Sequence, residues 1–250
     1  MVKMQQPEIS VVIPAFNEEK RIGNTIAAYS TYLDQNHPNS ELIVVTDGCT
    51  DGTATVARSS FAAENCRLNV IELTENVGKG GAVRKGILAA HGNFLIFTDA
   101  DLAFAPETIE PFLELLRGGA QIVVAQRKKE TQYPSWGRRF VAVASRALVG
   151  NLVLPGIRDT QAGFKGFTRN EARFLFSRAR IRRFLFDLEI LMMARRKGFK
   201  IQKVYVDWQD VPGSTVRLFL DTSRSVRDLL LILFYLTFGF YKLNGPDVLD

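Results

Sequence analysis

Phe94-Leu95-Ile96-Phe97-Thr98-Asp99-Ala100-Asp101 is the stretch on which the reading of this chain turns. The apolar run is too short for a helix and follows His91-Gly92-Asn93, a turn, so it reads as a strand in a sheet covered on both faces. In open α/β sheets ligands gather beyond the carboxyl ends of the strands, which is where Asp99 and Asp101 fall. Residues two apart on an extended backbone point the same way, so both carboxylates can address one point. Two unpaired acids in that position repel unless a cation sits between them. A hard divalent ion, Mg²⁺ or Mn²⁺, with a phosphate as its other ligand, is the natural occupant. A bare Asp-x-Asp is also an ordinary solvated turn, or a cap for the segment at Pro106; the surrounding pattern has to separate the two.

Upstream, Ile9 to Ala15, Glu41 to Asp47 and Leu68 to Leu73 read as further strands, and Gln121 to Ala125 follows as a fifth. Helical stripes lie between them: Ile22, Ile26, Tyr29 and Leu33, then Ile109, Phe112, Leu113 and Leu116. Pro14 stops the first strand and Asn17 is a candidate cap for the helix after it; Thr50 or Asp51 is the candidate cap of the next. Strands alternating with helices predict an α/β fold with a doubly wound, mostly parallel sheet and right-handed crossovers. Asn17, Glu18, Asp47, Lys79, Asp99 and Asp101 then all sit at strand ends and converge at one sheet edge, as a nucleotide site requires. Lys79 stands in a Gly-rich turn at a helix start, where exposed N–H groups favour an anion. There is no Gly-x-Gly-x-x-Gly after the first strand and no Walker A sequence, which disfavours a dehydrogenase and a P-loop NTPase.

The second half is less regular. Tyr133 to Asn151 reads as a helical stretch carrying Arg138, Arg139 and Arg146. Asp187 to Lys197 reads as a helix, Ile201 to Trp208 as an alternating strand, Pro212-Gly213-Ser214 as a turn and Arg224 to Lys242 as a last helical segment. At 250 residues with 46% hydrophobic content the chain suits one large domain, or a domain plus an appendage. Cys49 and Cys66 have neither metal-site nor disulfide-framework spacing, which suits a reducing compartment. The first eight residues are polar, so no signal peptide is expected. No apolar stretch reaches the roughly 20 residues that span a bilayer, so no transmembrane helix is expected either.

Net charge is +6, and its distribution is uneven. Arg169, Arg173, Arg178, Arg180, Arg182, Arg183, Arg195, Arg196, Lys197 and Lys200 face only three acids in the same segment. No aromatic-interleaved RNA motif and no zinc spacing accompany them, so a nucleic acid is not the expected partner. Leu229 to Tyr241 is thirteen uncharged residues, too short to span but suited to lying in a membrane interface. A solvated helical face, a core helix or a dimer contact are the plainer readings of these two features. His37 and His91 read as surface residues.

Four segments, Pro14-Ala15-Phe16-Asn17-Glu18, Val45-Thr46-Asp47-Gly48-Cys49-Thr50-Asp51-Gly52-Thr53, Asn76-Val77-Gly78-Lys79-Gly80 and Thr98-Asp99-Ala100-Asp101, occur in the order seen in family-2 glycosyltransferases of the GT-A fold, which the chain resembles. Asp159-Thr160-Gln161-Ala162-Gly163-Phe164-Lys165, Phe186-Asp187-Leu188-Glu189 and Val206-Asp207-Trp208 with Pro212-Gly213-Ser214 look like the dolichyl-phosphate (polyprenyl-phosphate) β-glucosyltransferase branch, related to dolichol-phosphate mannose synthase. The resemblance spans roughly residues 8 to 243. It implies that Pro14, Ala15, Asn17, Glu18, Asp47, Gly48, Lys79 and Asp99 bind the donor, and that Asp99 and Asp101 hold Mg²⁺ or Mn²⁺ against its diphosphate. It further implies that Arg127, Arg139, Gln161 and Lys165 meet the acceptor and that Asp159 lies near the reacting sugar. Thr46, Ala103 and Thr215 depart from the family pattern. Thr46 replaces the first of two aspartates, Ala103 a metal-binding glutamine of the mannose synthases, and Thr215 a lysine for which Arg217 is a candidate substitute.

The implied division is a glycosyltransferase domain over 1–215, its nucleotide half about 8–126 and its acceptor half about 127–215, followed by an interfacial helical segment over 216–250. The implied reaction is metal-dependent, inverting transfer of a hexose, with UDP-glucose the expected donor, onto a polyprenyl phosphate at the cytoplasmic face of a membrane. A lipid phosphate is mostly dianionic at neutral pH, its second pKa being about 6, so positioning rather than a strong general base carries the step. Same-fold alternatives use a GDP-sugar or a soluble or polysaccharide acceptor. A different class, a nucleotidyltransferase or a non-catalytic nucleotide-sugar-binding module, stays open, as does homo-oligomerisation.

Overall fold

The structure is a computed structural model that describes residues 6–128, 157, 159–209 and 218–243, with side chains in the last segment described from Val226 onward. Seven strands form one sheet: β1 (Ile9–Ala15), β2 (Ser40–Asp47), β3 (Cys66–Leu73), β4 (Phe94–Thr98), β5 (Ile122–Arg127), β6 (Phe164–Thr168) and β7 (Ile201–Val206). Their order is β3-β2-β1-β4-β6-β5-β7. Burial follows the sequence pattern. ISVVIPA of β1 is buried throughout because strands flank it and helices cover both faces, whereas β3 alternates buried and open residues, as an edge strand must. β1, β2, β3 and β4 pair in parallel, and β5 pairs in parallel with β7.

Helices α1 (Ile22–Asn36), α2 (Thr53–Ser59), α3 (Lys79–Ala89), α4 (Ile109–Arg117), α5 (Arg169–Arg178), α6 (Phe186–Lys197) and α7 (Leu218–Thr237) complete the described architecture. Successive residues of β1 point to opposite faces and so feed two cores. Val12 joins a cluster with α3, α5 and α6, including Ala82, Val83, Leu175, Phe186 and Leu191. Val11 and Ile13 join another with α1 and α4, including Ile26, Leu33, Phe112 and Leu113.

The sequence reading has no strand between the fourth and fifth strands, and the structure adds one. β6, a five-residue strand from the second half, runs antiparallel between them, Thr98 pairing with Phe164 and Val124 with Lys165. Asn17 does not cap α1: it has φ 54°, and the Glu18 carbonyl accepts from the Arg21 and Ile22 amides instead. Its side chain oxygen takes the Thr50 amide at 2.9 Å, tying the β1 and β2 end loops together. Neither Thr50 nor Asp51 is the N-cap of α2, which is Gly52; Asp51, one residue earlier, accepts the Thr53 amide at 3.1 Å. His37 is no surface residue; it is 8% exposed and meets Glu110 of α4 at 2.7 Å. The expected helix at Tyr133 to Asn151, with Arg138, Arg139 and Arg146, lies outside the described residues, as do Pro212-Gly213-Ser214, Thr215 and Arg217.

α7 and the residues just after it pack against the helices of the domain. Ile232 and Tyr241 are buried in the core shared with α5 and α6, and the Tyr241 hydroxyl donates to Glu189 at 2.7 Å. Glu189 also accepts the Arg180 and Ile181 amides. This explains a carboxylate inside a buried helix face, where burial pushes its pKa up and these donors pull it down. Among the described residues no helix is long and apolar enough to cross a membrane.

Candidate active site

Asp99 and Asp101 leave the end of β4 beside the N-terminus of α3. The Lys79 ammonium, on the first residue of α3, lies 2.6 Å from Asp99 Oδ1. Asp99's other oxygen faces Gly163 so closely that a Cβ there would fall 1.9 Å from Oδ2. The register causes this: Thr98 opposite Phe164 sets Gly163 against Asp99. Asp101 makes no ion pair among the described residues; its Oδ1 accepts the Ala103 amide at 3.2 Å. Burial and the neighbouring Asp99 charge raise the Asp101 pKa.

Two polar contacts from α1 hold this corner. The Thr25 hydroxyl donates to the Ala100 carbonyl at 2.7 Å and the Tyr29 hydroxyl to the Phe104 carbonyl at 3.0 Å. Glu18 forms a two-point pair with Arg21, and Arg21 in turn acts on Asp99 and Asp101 through its charge. Arg21 carried no signal in the sequence. The glycines around Lys79 serve packing more than an open anion loop. A Cβ on Gly78 would lie 2.5 Å from the Arg182 carbonyl oxygen, and one on Gly80 2.5 Å from Phe186 Cβ. They let α3 press end-on against the start of α6.

Asp47 is 3% exposed, and its two oxygens take the Val77 and Gly78 amides at 2.7 and 2.9 Å. It fastens the β2 end to the loop that carries Lys79; burial raises its pKa while these amides oppose the rise. Pro14 and Ala15 sit at the buried end of β1 and Gly48 follows β2, so the expected donor residues do gather along one sheet edge.

On the other side of β6, Arg127 at the end of β5 pairs through Nε with Asp159 Oδ2 at 2.5 Å and stacks its guanidinium 5.0 Å from the Trp208 ring centre. Gln126 brackets the same loop, donating to the Asp159 carbonyl and accepting its amide. Gln161 is exposed, and its amide donates to Asp159. The loop from Asp159 to Gly163 therefore touches Arg127 at one end and Asp99 at the other. Lys165 departs from the expected acceptor role. Its side chain is 1% exposed, with the ammonium 2.8 Å from Asp187 and donating to the Ala162 carbonyl at 2.7 Å. It points into the sheet's interior, because Phe164, its neighbour in the strand, faces the other core. Arg139 lies outside the described residues.

Asp99 and Asp101 are a donor set of hard oxygens, partly open, with one acid held between Lys79 and Gly163 and the other outside any ion pair among the described residues. That chemistry fits a divalent cation with phosphate oxygens completing its shell. Lys79 is the group such an ion would have to displace. The protein groups supply two acids, short of a full cage, as Mg²⁺ sites that rely on substrate phosphates do.

The sheet, seven strands with helices on both faces and one antiparallel strand between parallel neighbours, is that of the GT-A fold. A crystal structure of glucosyl-3-phosphoglycerate synthase from Mycobacterium tuberculosis, in complex with Mn²⁺, UDP and glucosyl-3-phosphoglycerate, superposes with a TM-score of 0.70 at 21% identity, covering 97% of this chain and 82% of that one. Glycosyl transferase family 2 matches residues 10–180. The Dolichyl-phosphate beta-glucosyltransferase of Drosophila melanogaster is 36% identical over 256 residues, covering 90% of this chain and 74% of the relative. The Homo sapiens protein of the same name is 34% identical over 260 residues, covering 95% and 78%. The chain belongs to glycosyl transferase family 2 and is a glycosyltransferase.

Proposed function

We propose that this enzyme transfers glucose from UDP-glucose to a polyprenyl phosphate of the dolichyl type, giving a β-linked lipid-phosphate sugar. The observation that carries the reading is the pairing of two site halves across one loop. Asp99 and Asp101 lie at the end of β4, and Arg127 is held by Asp159, which lies four residues of chain before the Gly163 that meets Asp99. The names of the relatives, at 29–36% identity over most of the chain, support the lipid acceptor and the hexose.

In this reading an acceptor phosphate oxygen attacks C1 of the sugar from the face opposite the diphosphate. The C1–O bond to UDP breaks with its electron pair leaving on the nucleotide, and the configuration inverts. Asp99 and Asp101 would hold Mg²⁺ or Mn²⁺, which when bound neutralises charge building on the departing diphosphate. Arg127 presents the acceptor phosphate; Asp159 fixes the guanidinium and Trp208 backs its plane, so little orientation is left to lose. No histidine is needed because the nucleophile arrives already ionised. The test is a donor panel of UDP-glucose, UDP-GlcNAc and GDP-mannose with a short polyprenyl phosphate and Mn²⁺. Radiolabel from UDP-glucose is expected in the organic phase; label from GDP-mannose alone, or no extractable label, overturns the assignment. Arg127→Ala is expected to raise KM for the lipid about tenfold or more and leave KM for the donor within about twofold, since a charge-assisted contact is worth about 1.5–3 kcal/mol. Equal effects on both would remove Arg127 from the acceptor side.

Membrane attachment belongs to the same reading. Leu230, Leu233, Phe234, Phe238 and Phe240 are exposed on and after α7, and the Phe234 ring lies 4.6 Å from Phe238 and 5.5 Å from Phe240. Arg180 stacks beside them on Tyr235 and Phe240. An apolar aromatic surface with a cationic edge suits insertion among anionic headgroups. Phe234→Ser with Phe238→Ser is expected to abolish co-sedimentation with phosphatidylserine-containing vesicles and leave the melting temperature within a few degrees. Unchanged sedimentation would assign the patch elsewhere.

A further inference from the structure

The Asp99 carboxylate is hemmed in on two sides. Lys79 Nζ sits 2.6 Å from Oδ1, and the Gly163 backbone closes on Oδ2, so the acid cannot swing away from the lysine. A cation arriving at Asp99 therefore has to move the ammonium, and an ammonium in so enclosed a place is costly without an acid beside it.

One acid is suited to receive it. Asp187, on the first turn of α6, is 3% exposed, and its Oδ1 lies 2.8 Å from the Lys165 ammonium. The Lys165 ammonium gives a hydrogen bond to the Ala162 carbonyl. Asp187 thus shares its one ion-pair partner among the described residues with a backbone carbonyl, and a buried carboxylate has lone pairs enough for a second cation. The tight seat of Gly80 on Phe186, with the Gly81 amide donating to the Arg182 carbonyl at 3.0 Å, brings the chain beside Lys79 against the chain beside Asp187. After Asp99, Asp187 is the acid that acts most strongly on the Lys79 charge.

We propose that Lys79 stands in for the divalent cation at Asp99 in the unloaded enzyme and transfers to Asp187 when the ion binds, making Asp187 a positioning residue for metal loading. The inference rests on the reading of Asp99 and Asp101 as the ion's ligands. It also accounts for charge. Three acids, Asp99, Asp101 and Asp187, and two lysines, Lys79 and Lys165, carry a net −1. A divalent ion alone turns that to +1, so the ion loads best together with a diphosphate. The exchange thus couples metal entry to the arrival of the donor.

The experiment is Mn²⁺ binding to the full chain, read from loss of the free-ion EPR signal, with and without UDP, for wild type, Lys79→Met, Asp187→Asn and the double variant. Lys79→Met is expected to tighten Mn²⁺ binding without UDP about fivefold, the scale of one half-open ion pair. Asp187→Asn is expected to weaken binding about threefold where Lys79 is present and to change nothing in the Lys79→Met background, because its effect acts through the lysine. Equal weakening in both backgrounds would mean that Asp187 acts on the ion directly, and it overturns the exchange, as does a Lys79→Met that binds no tighter. Wild type that takes up no Mn²⁺ even with UDP overturns the metal reading itself, a separate result. Should Asp187→Asn not fold, the Mn²⁺–UDP complex of the wild type decides: Lys79 Nζ on Asp187 upholds the proposal, and Nζ still on Asp99 ends it.

Discussion

Asp101→Ala is expected to lower kcat/KM by about 10³-fold while the protein stays folded. In the proposed mechanism several kcal/mol of leaving-group stabilisation would pass through the acid pair, and each 1.36 kcal/mol is about tenfold in rate. The fold should tolerate the change because Asp101 works against it. Its carboxyl is partly buried, its pKa is pushed up first by that burial and then by Asp99, and the one hydrogen bond it accepts among the described residues comes from Ala103. Losing that bond costs about 1 kcal/mol, and relief of the like-charge contact offsets part of it. A melting temperature within a few degrees of wild type is therefore expected. Asp99→Ala makes the informative contrast, since it also strips Lys79 of its partner and should cost more stability. Asp101→Ala retaining more than a tenth of wild-type kcat/KM would sink the role assigned to the pair.

The reason this candidate site was legible as a cluster in the sequence is that its core is local. The acids follow the strand that positions them, and the long apolar runs of β1, β2 and β4 admit no partner but a sheet covered on both faces. Lys79 was visible for the same reason, as the first residue of a helix after a glycine turn. What it does was not visible. Its contact with Asp99 depends on β4 and α3 being neighbours in space, and the glycines around it depend on α6, which begins more than a hundred residues later.

β6 escaped because Phe164-Lys165-Gly166-Phe167-Thr168 carries a lysine and a glycine where a buried strand usually has aliphatic residues. Only the nonlocal pair with Asp187 makes Lys165 acceptable inside the sheet, and removal of either partner would leave a buried charge. The same burial removes Lys165 from the acceptor surface, which a motif alone could not tell. Tyr29 shows the converse. It lay on an apolar stripe and is buried as expected, yet its hydroxyl ties α1 to the loop after the two acids. A helical period reports which face is buried, not what the polar tip of a buried side chain reaches.

Gly163→Ala is the substitution in which these strands of argument meet, and its expected effect is a folded enzyme with kcat/KM down by about 10²-fold or more. Gly163 lies outside the positive-φ glycines, so alanine can adopt its backbone conformation, and fewer unfolded conformers would on that count add about 0.4–1 kcal/mol of stability. The obstacle is purely local. The new methyl carbon would stand 1.9, 2.4 and 2.8 Å from Asp99 Oδ2, Cγ and Oδ1, so the carboxylate has to leave its position. Phe164 and Thr98 keep their pairing, which confines the displacement to the acid and the lysine bound to it. Misplacing a group by about 1 Å is enough to cost about 10²-fold in a reaction that depends on positioning. Two measurements separate this from general damage. Mn²⁺ affinity should fall together with kcat/KM while the melting temperature holds within a few degrees, and combining Gly163→Ala with Asp99→Ala should cost no more than Asp99→Ala alone, because both act through one carboxylate. If the losses instead multiply, Gly163 acts on transfer by some route other than Asp99, and the view of the Asp159–Gly163 loop as the brace between the two halves of the site fails.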